Sequence, residues 1–158
     1  MKKFIILSSL VLIIAACGGG GGESSSSDTA AETGQATEGG NPSYDPKRGE
    51  GKFKDVEISA GLDQAMAEKG EKVADLKCTS CHKMTDERLV GPGWAGATKR
   101  HTPEWIMNFM TNTDAMIDKD PKVQAMLEIC MVRMPNQNLS DDDARSVYEY
   151  MRKVDGVK

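Results

Sequence analysis

Apolar residues recur at helical spacing through most of the second half of the chain. Leu62, Ala65, Met66, Val73 and Leu76 share one helix face that runs into Cys78. Thr102-Pro103-Glu104 opens a second helix with a hydroxyl cap, a proline at the first helical position and an acid at the positive end of the peptide dipoles. Trp105, Ile106, Phe109 and Met110 supply its apolar side. Asp120-Pro121 repeats the start, followed by Val123, Met126, Leu127 and Cys130. Ser140 with Asp141, Asp142 and Asp143 opens a last helix along Ala144, Val147, Tyr148, Met151 and Val154; the three acids are helix-start chemistry, not a metal site. No pair of strands emerges, so the pattern predicts an all-α domain over residues 61–158.

The first third of the chain is patterned differently. Lys2 and Lys3 precede an apolar run from Phe4 to Ala16. That run falls short of the roughly 20 residues a bilayer span needs and has the layout of a bacterial export signal. Its end, Ile14-Ala15-Ala16-Cys17, resembles the lipobox of bacterial lipoproteins, which implies residues 1–17 as signal and a lipidated Cys17 as anchor; an ordinary cleaved signal is the alternative. Residues 18–45 are expected to form a disordered tether. From Gly18 to Ser43 there are eight Gly, five Ser and four acids, with no Lys, Arg or apolar residue larger than Ala, too little to offset the entropy of ordering. Residues 46–60, with the alternating stretch Phe53-Lys54-Asp55-Val56-Glu57-Ile58, read as an extended arm lying on the domain.

Charge narrows the partners. The 158 residues carry a net charge of -4, and losing residues 1–17 removes two lysines and no acid, which leaves -6; nucleic acid is not an expected partner. Two histidines cannot build a multi-histidine metal cage.

The informative pentapeptide is Cys78-Thr79-Ser80-Cys81-His82. Two thiols three positions apart on a helical turn can add to the two vinyl groups of one porphyrin. The adjacent histidine then turns its ring to the iron, and C-x-x-C-H is the spacing of covalent haem attachment. A thioredoxin-type dithiol shares the C-x-x-C but needs parallel βαβ units that the pattern lacks. Zinc needs two more ligands, and Cys130 and His101 form no second paired knuckle. A disulfide between the two cysteines would be strained and would leave His82 without a role.

With this motif the chain resembles the small class I c-type cytochromes, from Leu62 to Val154. The resemblance implies the cytochrome c fold, helices wrapped around one covalent haem c, with Cys78 and Cys81 on the vinyls and His82 on the iron. Gly70, eight residues before Cys78, matches the glycine at which the family's first and last helices cross. Leu89 to Gly96 is similar to the family's G-P-x-L-x-G loop, which implies that the carbonyl of Pro92 accepts the proton of the histidine's other ring nitrogen. Trp94 stands where leucine is usual and implies a bulkier haem wall. Ala74 stands where an aromatic residue is common, and Tyr148 or Met151 is expected to fill that space.

The resemblance also implies a sixth ligand on the loop before the last helix. Met134, followed by Pro135, occupies that place; Met131 and Met126 are rivals on a predicted helix face, where methionine fills core. Trp105 reads either as an indole donor to a haem propionate or as core packing. Arg100 and His101 read as propionate neighbours or a solvated face, and Cys130 as a small buried hydrophobe.

Methionine opposite histidine raises the reduction potential and closes the position where small molecules bind iron. The expected function is therefore that of an electron carrier and not an enzyme. It would move single electrons from a quinol-oxidising complex to a terminal oxidase or exported reductase, on the periplasmic side of the envelope. Gly18 favours the outer membrane for the anchor. The rival reading is a haem enzyme or gas sensor with a labile sixth ligand.

Overall fold

The computed structural model describes residues 43–158. The export signal, Cys17 and the tether up to residue 42 lie outside the described residues. Six helices follow in order: α1 (Gln64–Lys77), α2 (Ala97–Arg100), α3 (Pro103–Thr111), α4 (Thr113–Lys119), α5 (Pro121–Cys130) and α6 (Asp141–Val154). There is no named strand among the described residues, only one isolated bridge between His82 and Arg88.

The caps are local and follow the sequence. Asp63, Thr102, Asp120 and Ser140 each accept a backbone N–H in the first turn of α1, α3, α5 and α6. Two short helices escaped the periodicity. The N-cap Asn112 of α4 makes no side-chain hydrogen bond to the first turn of its helix. The start of α2 is held from across the fold: Asp155, just past α6, accepts from Gly96 N (2.5 Å), Thr98 N (2.9 Å) and Thr98 Oγ1 (2.5 Å). Neither start leaves a local signature.

The main packing is α1 across α6, and it corrects the expected face of α1. The buried residues are Ala67, Gly70 and Ala74, whereas Leu76 is 86% exposed. Small side chains win because the helices nearly touch. A methyl group on Gly70 would overlap the Ser146 carbonyl and lie 2.9 Å from Val147 N. Around Ala74, Tyr148 and Met151 join one core cluster with Trp94, Trp105, Ile106, Met110 and Leu139.

Residues 44–58 form a strap across α3 and α4. Asn108, fully buried, donates to Arg48 O (3.0 Å) and Phe53 O (2.8 Å) and accepts from Phe53 N (2.9 Å). Asn112 donates to Glu50 O, Met116 Sδ accepts from Glu50 N at 3.0 Å, and Glu104 accepts from Val56 N at 2.8 Å. Tyr44, inside the segment that composition assigns to the tether, donates its hydroxyl to Asp120.

The strap ends at a buried ion cluster. Glu149, fully buried, pairs with Arg145 and Arg152 at 2.6 Å each and accepts from Asp63 N at 2.9 Å; Arg152 also donates to Ser59, Ala60 and Gly61 carbonyls. Burial works to raise the Glu149 carboxyl, but the hydrogen bonds from Arg145, Asp63 N–H and Arg152 outweigh it and hold it below the usual carboxylate range. A depressed carboxyl stabilises the fold fully above its unfolded value of about 4.3, and that contribution drains away as pH falls through the lower folded value. Glu149→Gln should cost about 3–5 kcal/mol at pH 7, because it leaves two guanidinium groups without their counter-charge. In urea melts the gap between variant and parent should narrow as pH drops below 4.

Candidate functional site

Cys78 caps the C-terminus of α1, and its N–H bonds to Ala74 O at 2.7 Å. One further turn follows, with Cys81 N and His82 N both bonding to Cys78 O (3.0 and 2.9 Å). That turn carries both thiols and the imidazole onto the wall of one cleft of about 1300 Å³, open to solvent. Cys78 is buried, Cys81 half-buried, and both are free thiols. Burial pushes the Cys78 thiol up to about 11, so it stays protonated at neutral pH.

The loop from Leu89 to Ala95 is clipped to the segment after the motif. Val90 N and Gly91 N donate to Cys81 O, Trp94 N to Lys83 O and Ala95 N to Thr85 O, at 2.9–3.2 Å. Gly91 and Gly93 permit this: a methyl on Gly91 would stand 2.8 Å from His82 Nδ1, and one on Gly93 2.8 Å from Glu87 O. The clip sets Pro92 O 2.8 Å from His82 Nδ1. A carbonyl only accepts, so Nδ1 carries the proton and Nε2 keeps its lone pair. Trp94, 6% exposed, packs 5.8 Å from the His82 ring and edge-on to Tyr150.

The segment between α5 and α6 lines the same cleft. Met134, half-buried, lines the same cleft as His82, together with Met126 and Pro135. These residues also border an adjoining apolar recess with Val90, Val123, Leu127 and Cys130. Met131 is not there: it takes a left-handed conformation (φ 55°) at the end of α5 and is 85% exposed. Cys130 is half-buried on the recess wall and so is not the closed core position expected of it. Three side chains tie the Met134 segment down. Arg88 donates to Ile129 O (2.6 Å), Arg133 to Asp114 and Asp118 (3.1 Å each), and Lys77 to Gln137 O (2.8 Å).

Trp105 lines the cleft as part of the core cluster, and its indole N–H donates to Asp120 Oδ2 at 2.6 Å. Asp120, 1% exposed, also accepts from Tyr44 and from Lys122 N and Val123 N. A carboxylate that caps a helix and holds two aromatic donors could not be inferred from the Asp-Pro pair, which shows only the cap. His101 stacks on Trp105 (centroids 3.8 Å apart, 14° between planes) and borders the cleft beside Arg100.

The donor set suits a flat apolar group with a metal at its centre. Two free thiols, an imidazole with its lone pair unclaimed by Pro92, a thioether and apolar side chains from Leu76, Ile106, Phe109 and Met110 all line one cleft. Leu76, so exposed on a helix face, is explained by that fit. Among the described residues no three His, Cys, Asp or Glu converge, so the thiols and imidazole do not build a zinc site.

This arrangement defines a haem-binding all-α domain of the electron-carrying kind. The family model described as cytochrome c matches residues 67–155, and the chain belongs to that family, whose haem c is held covalently. Cytochrome c from Rhodothermus marinus is 36% identical, with a TM-score of 0.64 over 66% of this chain and 90% of that one. An engineered cytochrome c from the same organism is 35% identical over the same shares, with a TM-score of 0.64. A further engineered form, bound to a carbene intermediate, gives a TM-score of 0.61 at 35% identity, again over 66% of this chain and 90% of that one. No curated protein matches this chain.

Proposed function

We propose that this protein carries single electrons between membrane-associated redox complexes, held at the envelope by a lipid on Cys17. The observation that carries the reading is His82, its Nδ1 bound to Pro92, lining one largely apolar cleft together with Cys78, Cys81 and Met134. When bound, the haem supplies an iron that takes up and gives back one electron. The chain supplies everything else. Cys78 and Cys81 would hold the group by thioether bonds, and His82 Nε2 and Met134 Sδ would ligate its iron. Pro92 orients the imidazole and increases its basicity. Trp94, Phe109, Met110 and Met151 keep water from the group, which limits reorganisation when charge changes.

The lipid and the Gly/Ser-rich tether support a carrier that reorients near a membrane, with a reach of roughly 25–30 Å for a flexible coil of this length. Such encounters bury little surface, below about 1,200 Å². A quinol-oxidising complex as donor, a terminal oxidase or exported reductase as acceptor, and a site on the periplasmic side of the envelope fit this reading. Gly18 after Cys17 favours the outer membrane. The test is a redox titration of the purified holoprotein with optical spectra. A reversible one-electron couple with methionine-ligated, low-spin spectra in both states is expected. High-spin spectra with ready carbon monoxide binding would instead favour a haem enzyme or gas sensor.

A further inference from the structure

His101 has no place in the machinery described so far, yet its position is unusual. It is one of only two histidines in the chain, and the other is committed to Pro92 and the cleft. It ends α2, its N–H bonding to Ala97 O, and lies flat on Trp105, the residue that walls the cleft between the two helices. The ring is half-buried and borders the same cleft as His82 and Met134. Any charge it carries therefore acts on a group in that cleft through protein and little water, where screening is weak.

We propose that His101 binds protons in step with the electron: one-electron reduction of the haem, by the redox donor, raises the affinity of this imidazole for a proton drawn from solvent, and reoxidation lowers it and returns the proton. The inference rests on the carrier reading above. The physical reason is linkage. A positive imidazolium beside the cleft favours the less positive, reduced centre, and by reciprocity the reduced centre favours the imidazolium.

The surroundings hold the group ready to titrate. Burial disfavours its charged form, as do Lys122 at the start of α5 and Arg100 in α2; Asp120 opposes them. Together they lower it from the ordinary 6.5. Tyr44 on the strap shares Asp120, and burial followed by the Asp120 hydrogen bond raises its phenol so far that it stays neutral and adds no charge. Against this background an electron added in the cleft shifts His101 towards protonation.

The experiment is a midpoint titration of the holoprotein across pH 4–8, with His101→Gln beside it. In the unaltered protein the midpoint should fall as pH rises through the His101 titration. Up to a tenfold change in the redox equilibrium is expected, 59 mV for one electron. In His101→Gln that fall should vanish. An equal fall in the variant would overturn the proposal and assign the proton to the haem's own carboxylates. Because glutamine can disturb the stack, the unaltered protein provides a second readout. His82 is fixed by Pro92 and the iron, so the imidazole NMR signal that moves with pH belongs to His101. Its midpoint should lie higher in the reduced than in the oxidised protein, and identical midpoints would overturn the proposal. A reversible couple that is flat in pH sinks only this inference, whereas absence of any reversible couple sinks the carrier reading with it.

Discussion

Met134→Ala should turn a low-spin, closed haem protein into one with an open coordination position. The ferric spectrum should lose its sulfur-to-iron charge-transfer band and become high-spin or water-ligated, and the reduced protein should bind carbon monoxide readily. The midpoint should fall by on the order of 0.1 V, a modest part of the roughly 0.8 V over which axial ligands set haem potentials. Met134 lines the cleft with His82, while Met131 sits at a left-handed helix end pointing into solvent. Met131→Ala should therefore leave the spectrum unchanged. Met126 also borders the cleft, so Met126→Ala is the sharper control. If its spectrum changes and that of Met134→Ala does not, the ligand assignment moves to Met126.

The second large effect concerns the fold. Gly70→Ala is expected to destabilise the protein by about 2–4 kcal/mol, even though alanine is the better helix former by about 1 kcal/mol. The added methyl would meet the Ser146 carbonyl and Val147 N, which are backbone of α6, so no rotamer change relieves the overlap. The helices must part, and the packing of Ala67 and Ala74 loosens with them. Thermal unfolding should drop by about 10–20 °C for a domain of this size. Ala65→Gly, at an exposed position of the same helix, calibrates the propensity term and should cost only about 1 kcal/mol. A Gly70→Ala protein as stable as the parent would show that the crossing is not set by this contact.

Legibility followed the range of each interaction. The starts of α3, α5 and α6, at Thr102, Asp120 and Ser140, could be read because cap, proline and first-turn acid are neighbours in sequence. Helix α2 could not, because Asp155 holds its start from more than fifty residues away. The face of α1 was misread for a related reason. Counting apolar residues favours Leu76, while close helix contact selects alanine and glycine and leaves Leu76 facing the cleft. Trp105 showed both sides: its place on the wall could be read, but the partner of its N–H could not.

The amino-acid sequence by itself determined the chemistry: a C-x-x-C-H turn commits two thiols and an imidazole to one group, because covalent spacing places all three within a single turn. It also determined where α3, α5 and α6 begin, through local caps. Tertiary structure alone decided how the site is completed. The strap on Asn108, the buried pairs of Glu149, the Asp120 carboxylate shared by Tyr44 and Trp105, and the placing of His101 and Met134 around one cleft all join residues far apart in the chain. Such contacts depend on which burial and which hydrogen bonds can be satisfied together in three dimensions, and no local pattern records that.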